Sequence, residues 1–496
     1  MSRLLRALDE HARSRPTAPA VIGDGETLDY RTLQARVERL AEALRHRQVR
    51  CVALLADNGP RWIVVDLACL RAGIPLIPVP HFFSPAQIAH MLKASGCGEL
   101  LAEHPAHAES MLRAGQIAHA PPEWFEEADL HAFALRGMGD AHLPRACAKV
   151  TFTSGSTGEP KGVCLALAAM EQVAASLAQV SGATAEDRHL CLLPFATLLE
   201  NIGGIYAPLL IGATMVAPGL ETVGWRGASG LEIPRFARTI AGSGAASCIM
   251  IPQMLLALVS AVAQGMSRPA KMRYIAVGGA PVAPKLLAQA AALGLPAYEG
   301  YGLSEAASVV AVNTPEANRP GSVGKPLPHV ELAFAEDGEI LVRGSLFMGY
   351  LGQPAELRQG YWPTGDIGHL DADGFLHLEG RKKHIFITAF GRNVSPEWVE
   401  RELQVEPAIA QACVFGEARP FNVAVVVPRP GHDRAAVDAA LASANARLPD
   451  YARIGRVVLA RAPFTVENGQ WTGTGRPRRA AILAAYRNEI EAQYKE

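Results

Sequence analysis

No two cysteines of this 496-residue chain stand in a C-x-x-C pair. The eight present (Cys51, Cys69, Cys97, Cys147, Cys164, Cys191, Cys248 and Cys413) are scattered singly, several inside apolar runs such as residues 67–70. That spacing speaks against a metal centre and for reduced, buried thiols in a cytoplasmic enzyme. Charge of neither sign is in excess, with 47 lysines and arginines against 48 aspartates and glutamates. No global field therefore points to nucleic acid or an anionic membrane as a partner. Also missing is any apolar run of ~20 residues free of charges and breakers, so no transmembrane segment is expected. The longest candidate, residues 202–218, is broken by Gly203, Gly204, Pro208 and Gly212. The amphipathic start MSRLLRALDEHARSRP is too charged for a signal peptide.

A chain of 496 residues exceeds what one hydrophobic core serves and is expected to divide into two or more domains. Short apolar strands alternate with helices from the start. A strand at 26–30 precedes a helix at 31–46, with Leu33, Val37, Leu40, Ala41 and Leu44 on one face. CVALLA (51–56) precedes a helix at 61–71, and IPLIPV (74–79) a helix at 85–95. This alternation predicts a parallel sheet with right-handed crossovers. Residues 104–147, with Pro105, Pro121, Pro122 and Pro144, read as an irregular surface excursion. Beyond Pro328 the texture changes to short strands at 330–334, 339–343 and 375–379 separated by turn signals. A smaller α+β unit follows, with strands at 385–388, 409–415 and 422–428 and helices at 396–404 and 434–447. The domain boundary is placed at Lys383, giving units 1–383 and 384–496.

Between a strand edge at 149–152 and an Ala/Leu-rich helix expected at 163–178 lies TFTSGSTGEPKG, residues 151–162. Thr153, Ser154, Ser156 and Thr157 contribute hydroxyls, and Gly155, Gly158 and Gly162 an unencumbered backbone. Such a loop can fold N–H and O–H groups around phosphate oxygens, and Lys161 adds a point charge. The Walker spacing is absent: Lys161 follows Glu159-Pro160, and Gly162 stands where that loop needs a hydroxyl. A flexible polar linker is the competing reading, and the apolar flanks on both sides argue against it.

Five later segments carry further signals. Gly278-Gly279-Ala280-Pro281 is either an ordinary strand-to-helix turn or a glycine platform on which a flat ring can rest. YEGYGLSE (298–305) offers the face of Tyr301 for stacking and two carboxylates, Glu299 and Glu305. Thr364-Gly365-Asp366 holds an aspartate that suits a turn or a pair of ribose hydroxyls. GRKK (380–383) is a basic turn, and FGRNVSP (390–396) a glycine-bearing loop.

In this order, with TSGSTGEPKG ahead of them, these motifs resemble the acyl-adenylate-forming (AMP-binding) superfamily of acyl-CoA synthetases, nonribosomal adenylation domains and luciferases. GRKKHIFITAFGRNVSPEWVE (380–400) is most similar to the long-chain acyl-CoA synthetases. The resemblance covers essentially the whole chain. It implies an α/β fold: a large N-terminal domain of stacked mixed sheets and helices with a small β-barrel-like subdomain, then a smaller mobile α+β C-terminal domain turning about Lys383. It implies adenine against Gly279, Ala280, Gly300, Tyr301 and Gly302, with Glu299 accepting from the adenine amino group. It implies Ser304 on the α-phosphate, Glu305 on Mg2+, and Asp366 and Arg381 on the ribose. Gly391 would line the path of a pantetheine thiol. The implied chemistry has two steps, attack of a small-molecule carboxylate on the α-phosphorus of ATP and displacement of AMP by a thiol. That thiol would belong to coenzyme A or to the phosphopantetheine of an acyl carrier protein.

Two residues depart from the superfamily pattern. Within LPFATLLEN (193–201), Thr197 stands where these synthetases carry histidine near the acyl site. In NGQWTGTGRPRR (468–479) the adenylation lysine is replaced by Arg476, and no lysine follows before Lys495. Arginine keeps the charge but is planar, bulkier and differently aimed. The leading expectation is an acid–thiol ligase for a fatty or other hydrophobic acid, with Lys161, Glu305 and Arg476 catalytic. The alternative is an adenylation-impaired nucleotide-binding protein that senses or presents an acyl-adenylate. Gly203, Gly204 and the Gly279-Ala280 turn lack side-chain bulk, which predicts an open apolar channel for an alkyl chain.

Overall fold

Strands that are apolar at every position must be covered on both faces, and here that requirement builds the centre of two sheets. The computed structural model describes residues 2–139, 143–154, 160–226, 230–390, 392–472 and 475–495. Among them, Val52–Leu55, buried at all four positions, pairs in parallel with Leu76–Pro78 and Glu99–Ala102 at the heart of a ten-stranded sheet. A nine-stranded sheet runs parallel through Thr214–Val216, Arg188–Leu190, Ser247–Met250, Tyr274–Val277 and Ala297–Tyr301. Helices Tyr30–Arg47 and Pro60–Ala72 cover them with Leu33, Val37 and Trp62 fully buried. The periodicity of the first hundred residues thus yields the expected alternation. Among the described residues no helix is long and apolar enough to cross a membrane.

Two sequence expectations are corrected. The segment after residues 151–162 is not a helix from residue 163. Cys147–Ser154 and Pro160–Ala166 form an antiparallel hairpin with Thr153 opposite Lys161, and the helix begins only at Leu167. Val163, Cys164 and Leu165 are all fully buried, a run too continuously apolar for one helix face, and Val163 and Cys164 pair onward with Gly349–Tyr350. The described residues on either side of 155–159 are therefore two strands of one hairpin, not a strand and a helix. The 104–147 excursion is also structured. Pro105 occupies the first turn of helix Pro105–Ala114, where a missing N–H costs nothing, and Leu130–Arg136 pairs antiparallel with Glu99–Ala102.

The segment expected to be barrel-like forms a four-stranded antiparallel sheet of Glu331–Phe334, Glu339–Arg343, Trp362–Leu370 and Leu376–Arg381. The C-terminal part has its own apolar clusters around a three-stranded sheet, Ile409–Phe415, Asn422–Pro428 and Ile454–Leu459, with helices Pro396–Gln404, Arg434–Asn445 and Arg479–Ala492. It docks on the large body where Val405 packs with Val282, Ala283 and Leu286, and where Lys285 Nζ lies 2.8 Å from Glu406 Oε1.

Candidate active site

A cavity of about 1720 Å³ opens where the strand ends of the nine-stranded sheet, the hairpin and the C-terminal part meet. Register decides what faces it. Glu299 sits opposite Val277 in the parallel pair, and Asp366 sits opposite Arg381 in the antiparallel one. Arg381 Nε lies 2.8 Å from Asp366 Oδ1, and the Tyr301 hydroxyl donates to Asp366 Oδ2 at 2.6 Å. Burial pushes the Asp366 carboxyl above the ordinary aspartate value, against the pull of Arg381 and the Tyr301 hydroxyl. The Tyr301 hydroxyl is itself held well above its usual range, by burial and by the Asp366 charge.

Glu299 is buried and accepts from the Val282 N–H at 2.9 Å. Burial pushes its carboxyl up to about 7, with the Val282 N–H and the Arg401 charge pulling the other way. Gly279 lies at the strand end with φ +82, a left-handed conformation that glycine adopts freely. At Gly302 a Cβ would stand 1.7 Å from the Ser308 carbonyl oxygen, so glycine is required for the chain to fold back there. Ala280, Gly300 and Ser304 border the same cavity.

On the hairpin side Thr153 and Lys161 face the cavity. Lys161 Nζ stands 5.1 Å over the ring of Tyr350, whose hydroxyl donates to Glu305 Oε1 at 2.6 Å. Tyr350 thus joins the cation to the carboxylate, and sequence reasoning missed it because no motif marks Gly349-Tyr350. From the C-terminal part, Arg476 Nη2 donates to the Gly279 carbonyl. The side chain of Arg476 crosses between the two parts through water-accessible space. Thr197 borders the cavity and turns its hydroxyl onto the Pro194 carbonyl at 2.6 Å.

The structure therefore brings Thr153, Lys161, Gly279, Glu299, Tyr301, Glu305, Asp366, Arg381 and Arg476 around one space. Gly155, Ser156, Thr157, Gly158 and Gly391 lie outside the described residues, as does the side chain of Ser154. Gly203 borders the cavity, as do Gly279 and Ala280, whereas Gly204 does not. A Cβ on Gly203 would meet Ile249 Cδ1 at 2.6 Å, and one on Gly204 would meet Glu200 Oε1 at 2.1 Å. The apolar chamber that does exist is walled by Leu177, Ala207, Ile211, Ile249 and Ala276.

The AMP-binding enzyme family matches residues 8–351 and the AMP-binding enzyme C-terminal domain matches residues 383–496. The chain is 31% identical to the feruloyl-CoA synthase of Amycolatopsis sp, covering 89% of this chain and 91% of that protein. It is 27% identical to the long-chain-fatty-acid–CoA ligase FadD15 of Mycobacterium bovis, covering 89% and 88%. Its fold is similar to that of the anthranilate CoA ligase AuaEII in complex with anthranoyl-AMP, at TM-score 0.81 and 19% identity, covering 98% and 97% of the two chains. On the extent of both matches, spanning the hairpin, the strand-end cavity and the C-terminal part, the chain belongs to the AMP-binding enzyme family.

Proposed function

We propose that the protein is an acid–thiol ligase that activates a hydrophobic carboxylic acid with ATP and passes the acyl group to a thiol. The observation that carries this reading is the reach of Arg476 from the C-terminal part to the Gly279 carbonyl, beside the Asp366–Arg381 pair. A cation thereby stands between an apolar chamber and a cradle suited to a ribose, where a carboxylate and an α-phosphate would meet. The residues present fit ATP and Mg2+. Glu305 offers an oxygen ligand, Lys161 a cation on the same side, and Gly279 a strand end without side-chain bulk. A magnesium ion bound there neutralises phosphate charge.

In the first step a substrate carboxylate oxygen attacks the α-phosphorus and the bond to pyrophosphate breaks. Asp366 accepts from the ribose, Glu299 accepts from the adenine amino group, and Lys161 and Arg476 offset the charge that builds on phosphate and carboxylate oxygens. In the second step the thiol sulfur attacks the acyl carbon, the C–O bond to AMP breaks and the thiol proton leaves. No side chain is required as a nucleophile. The domain boundary at Lys383 would serve as the hinge that withdraws Arg476 before the thiol attacks.

Coenzyme A is favoured over a carrier protein as acceptor because the relatives are CoA ligases by name. Eight free, buried cysteines fit a reducing, cytoplasmic setting. Arg476 placed in the cavity disfavours the reading of an impaired acyl-adenylate sensor. The test is incubation with ATP, Mg2+, coenzyme A and a panel of carboxylic acids. Acyl-CoA and AMP in equal amounts are expected; AMP release without any thioester, or ADP as product, would overturn the reading.

A further inference from the structure

The chamber wall runs along one face of the nine-stranded sheet. Side chains alternate in a strand, so Ser247, Ile249 and Ile251 share a face, as do Tyr274, Ala276 and Gly278 in the registered neighbour. All six border the cavity. The upper part of this wall is apolar, and at its foot the chemistry changes. His189, paired in register with Ser247, places Nδ1 2.9 Å from Ser247 Oγ and Nε2 3.4 Å from Glu200 Oε1. Glu200 is fully buried, and its Oε2 accepts from the N–H groups of Leu193 at 2.8 Å and Leu192 at 3.3 Å. The six-residue π-helix Asn201–Tyr206 begins directly after it, and Gly204 makes the space that Glu200 Oε1 fills.

This chain of groups has a direction. Two amide donors hold Oε2 and leave Oε1 facing His189 Nε2, the arrangement that suits the His189 tautomer with its proton on Nε2. Nδ1 then accepts from the Ser247 hydroxyl, and Ser247 Oγ is left with lone pairs and no proton to give. A substrate atom meeting Ser247 must therefore be a donor. We propose that the chamber takes a carboxylic acid carrying a distal hydroxyl, and that Ser247, oriented by His189 and Glu200, reads that hydroxyl by accepting its hydrogen bond. The four-residue span from Ser247 to Ile251 sets the distance from this acceptor to the strand ends at roughly 13 Å. The inference deepens the ligase reading and rests on it.

The test uses the full chain and the series from octanoate to tetradecanoate, each paired with its ω-hydroxy counterpart. Acid-dependent pyrophosphate release gives kcat/KM for every member. At one chain length the hydroxy acid is expected to exceed its parent by roughly tenfold, the size of one well-placed hydrogen bond. Ser247→Ala is expected to erase that preference, so that each hydroxy acid and its parent give the same kcat/KM in the variant. The preference is measured on the unmodified protein, so it stands whether or not the variant folds. Parent acids used as well as hydroxy acids at every length, or a preference that survives Ser247→Ala, would overturn the assignment. No pyrophosphate release with either series would overturn this inference, and the ligase reading itself falls only if the wider panel of carboxylic acids also fails.

Discussion

Both oxygens of Asp366 are already engaged by the protein, one by Arg381 and the other by the Tyr301 hydroxyl. The carboxylate is thus held in place in advance, which is the preorganisation that the proposed ribose contact needs. Asp366→Ala is expected to cost about 1.5–3 kcal/mol of ATP affinity, a loss of about ten- to hundredfold read by calorimetric titration. An unchanged Kd would remove Asp366 from the site. Glu299 makes a pH prediction. Its carboxyl is raised to about 7, and an adenine amino donor favours the charged form. ATP affinity is therefore expected to rise as pH increases through about 7 and to lose this component in Glu299→Gln. In the nucleotide-free protein the sign reverses. The folded state holds this proton more tightly than the unfolded chain, so the group's contribution to stability falls as pH rises from its ordinary value of 4.5 to about 7. Parallel ATP-affinity profiles for Glu299→Gln and the unmodified protein would contradict the assignment. Asp366, Arg381 and Glu305 were legible as types in motifs. Tyr350 was not, because its meaning lies in a contact between distant hairpins.

Among elements, those with a strong period were the readable ones. Helices Pro85–Ser95 and Pro396–Gln404 and strands Ile409–Phe415 and Asn422–Pro428 fall where the pattern puts them. The hairpin after the phosphate loop was misread because GVCLALA is uniformly apolar, and such a run does not tell a buried strand from a buried helix. The π-helix Asn201–Tyr206 left no sequence signal either, since NIGGIY looks like a breaker rather than a packed turn. Its glycines supply the next prediction. Gly204→Ala drives a methyl group to 2.1 Å from Glu200 Oε1, beside a carboxylate that two amides hold fixed. A loss of at least ~1–3 kcal/mol is expected, read as a lowered melting temperature or failure to accumulate folded protein. A Gly204→Ala variant as stable as the parent would mean that this turn relaxes freely. The buried pair of Lys149 and Asp66, 2.8 Å apart, with Tyr206 and Asn201 on the same ammonium, ties the hairpin base to this helix. No spacing in the sequence announces it.

At the scale of the whole molecule, the contacts that hold the C-terminal part over the cavity include Arg476 to Gly279, Lys285 to Glu406, and Val405 in the apolar cluster of the large body. Lys285→Glu places like charge beside Glu406, which Arg447 continues to hold at 2.9 Å. Adenylation is expected to slow severalfold, while thioester formation from supplied acyl-adenylate changes little, because in the proposed cycle only the first step uses this docked arrangement. Equal slowing of both steps would assign Lys285 to general stability instead. The most direct measurement is acid-dependent ATP–pyrophosphate exchange in the native protein, Arg476→Ala and Arg476→Lys, beside thioester formation from supplied acyl-adenylate. Native exchange is expected, with a fall of about 10²–10³ in Arg476→Ala, the cost of one preorganised donor at a developing charge. Arg476→Lys is expected to match or exceed the native rate, and the thioester step to persist in all three. Exchange untouched by Arg476→Ala, or a loss confined to the thioester step, would contradict the placing of Arg476 between the carboxylate and the α-phosphate.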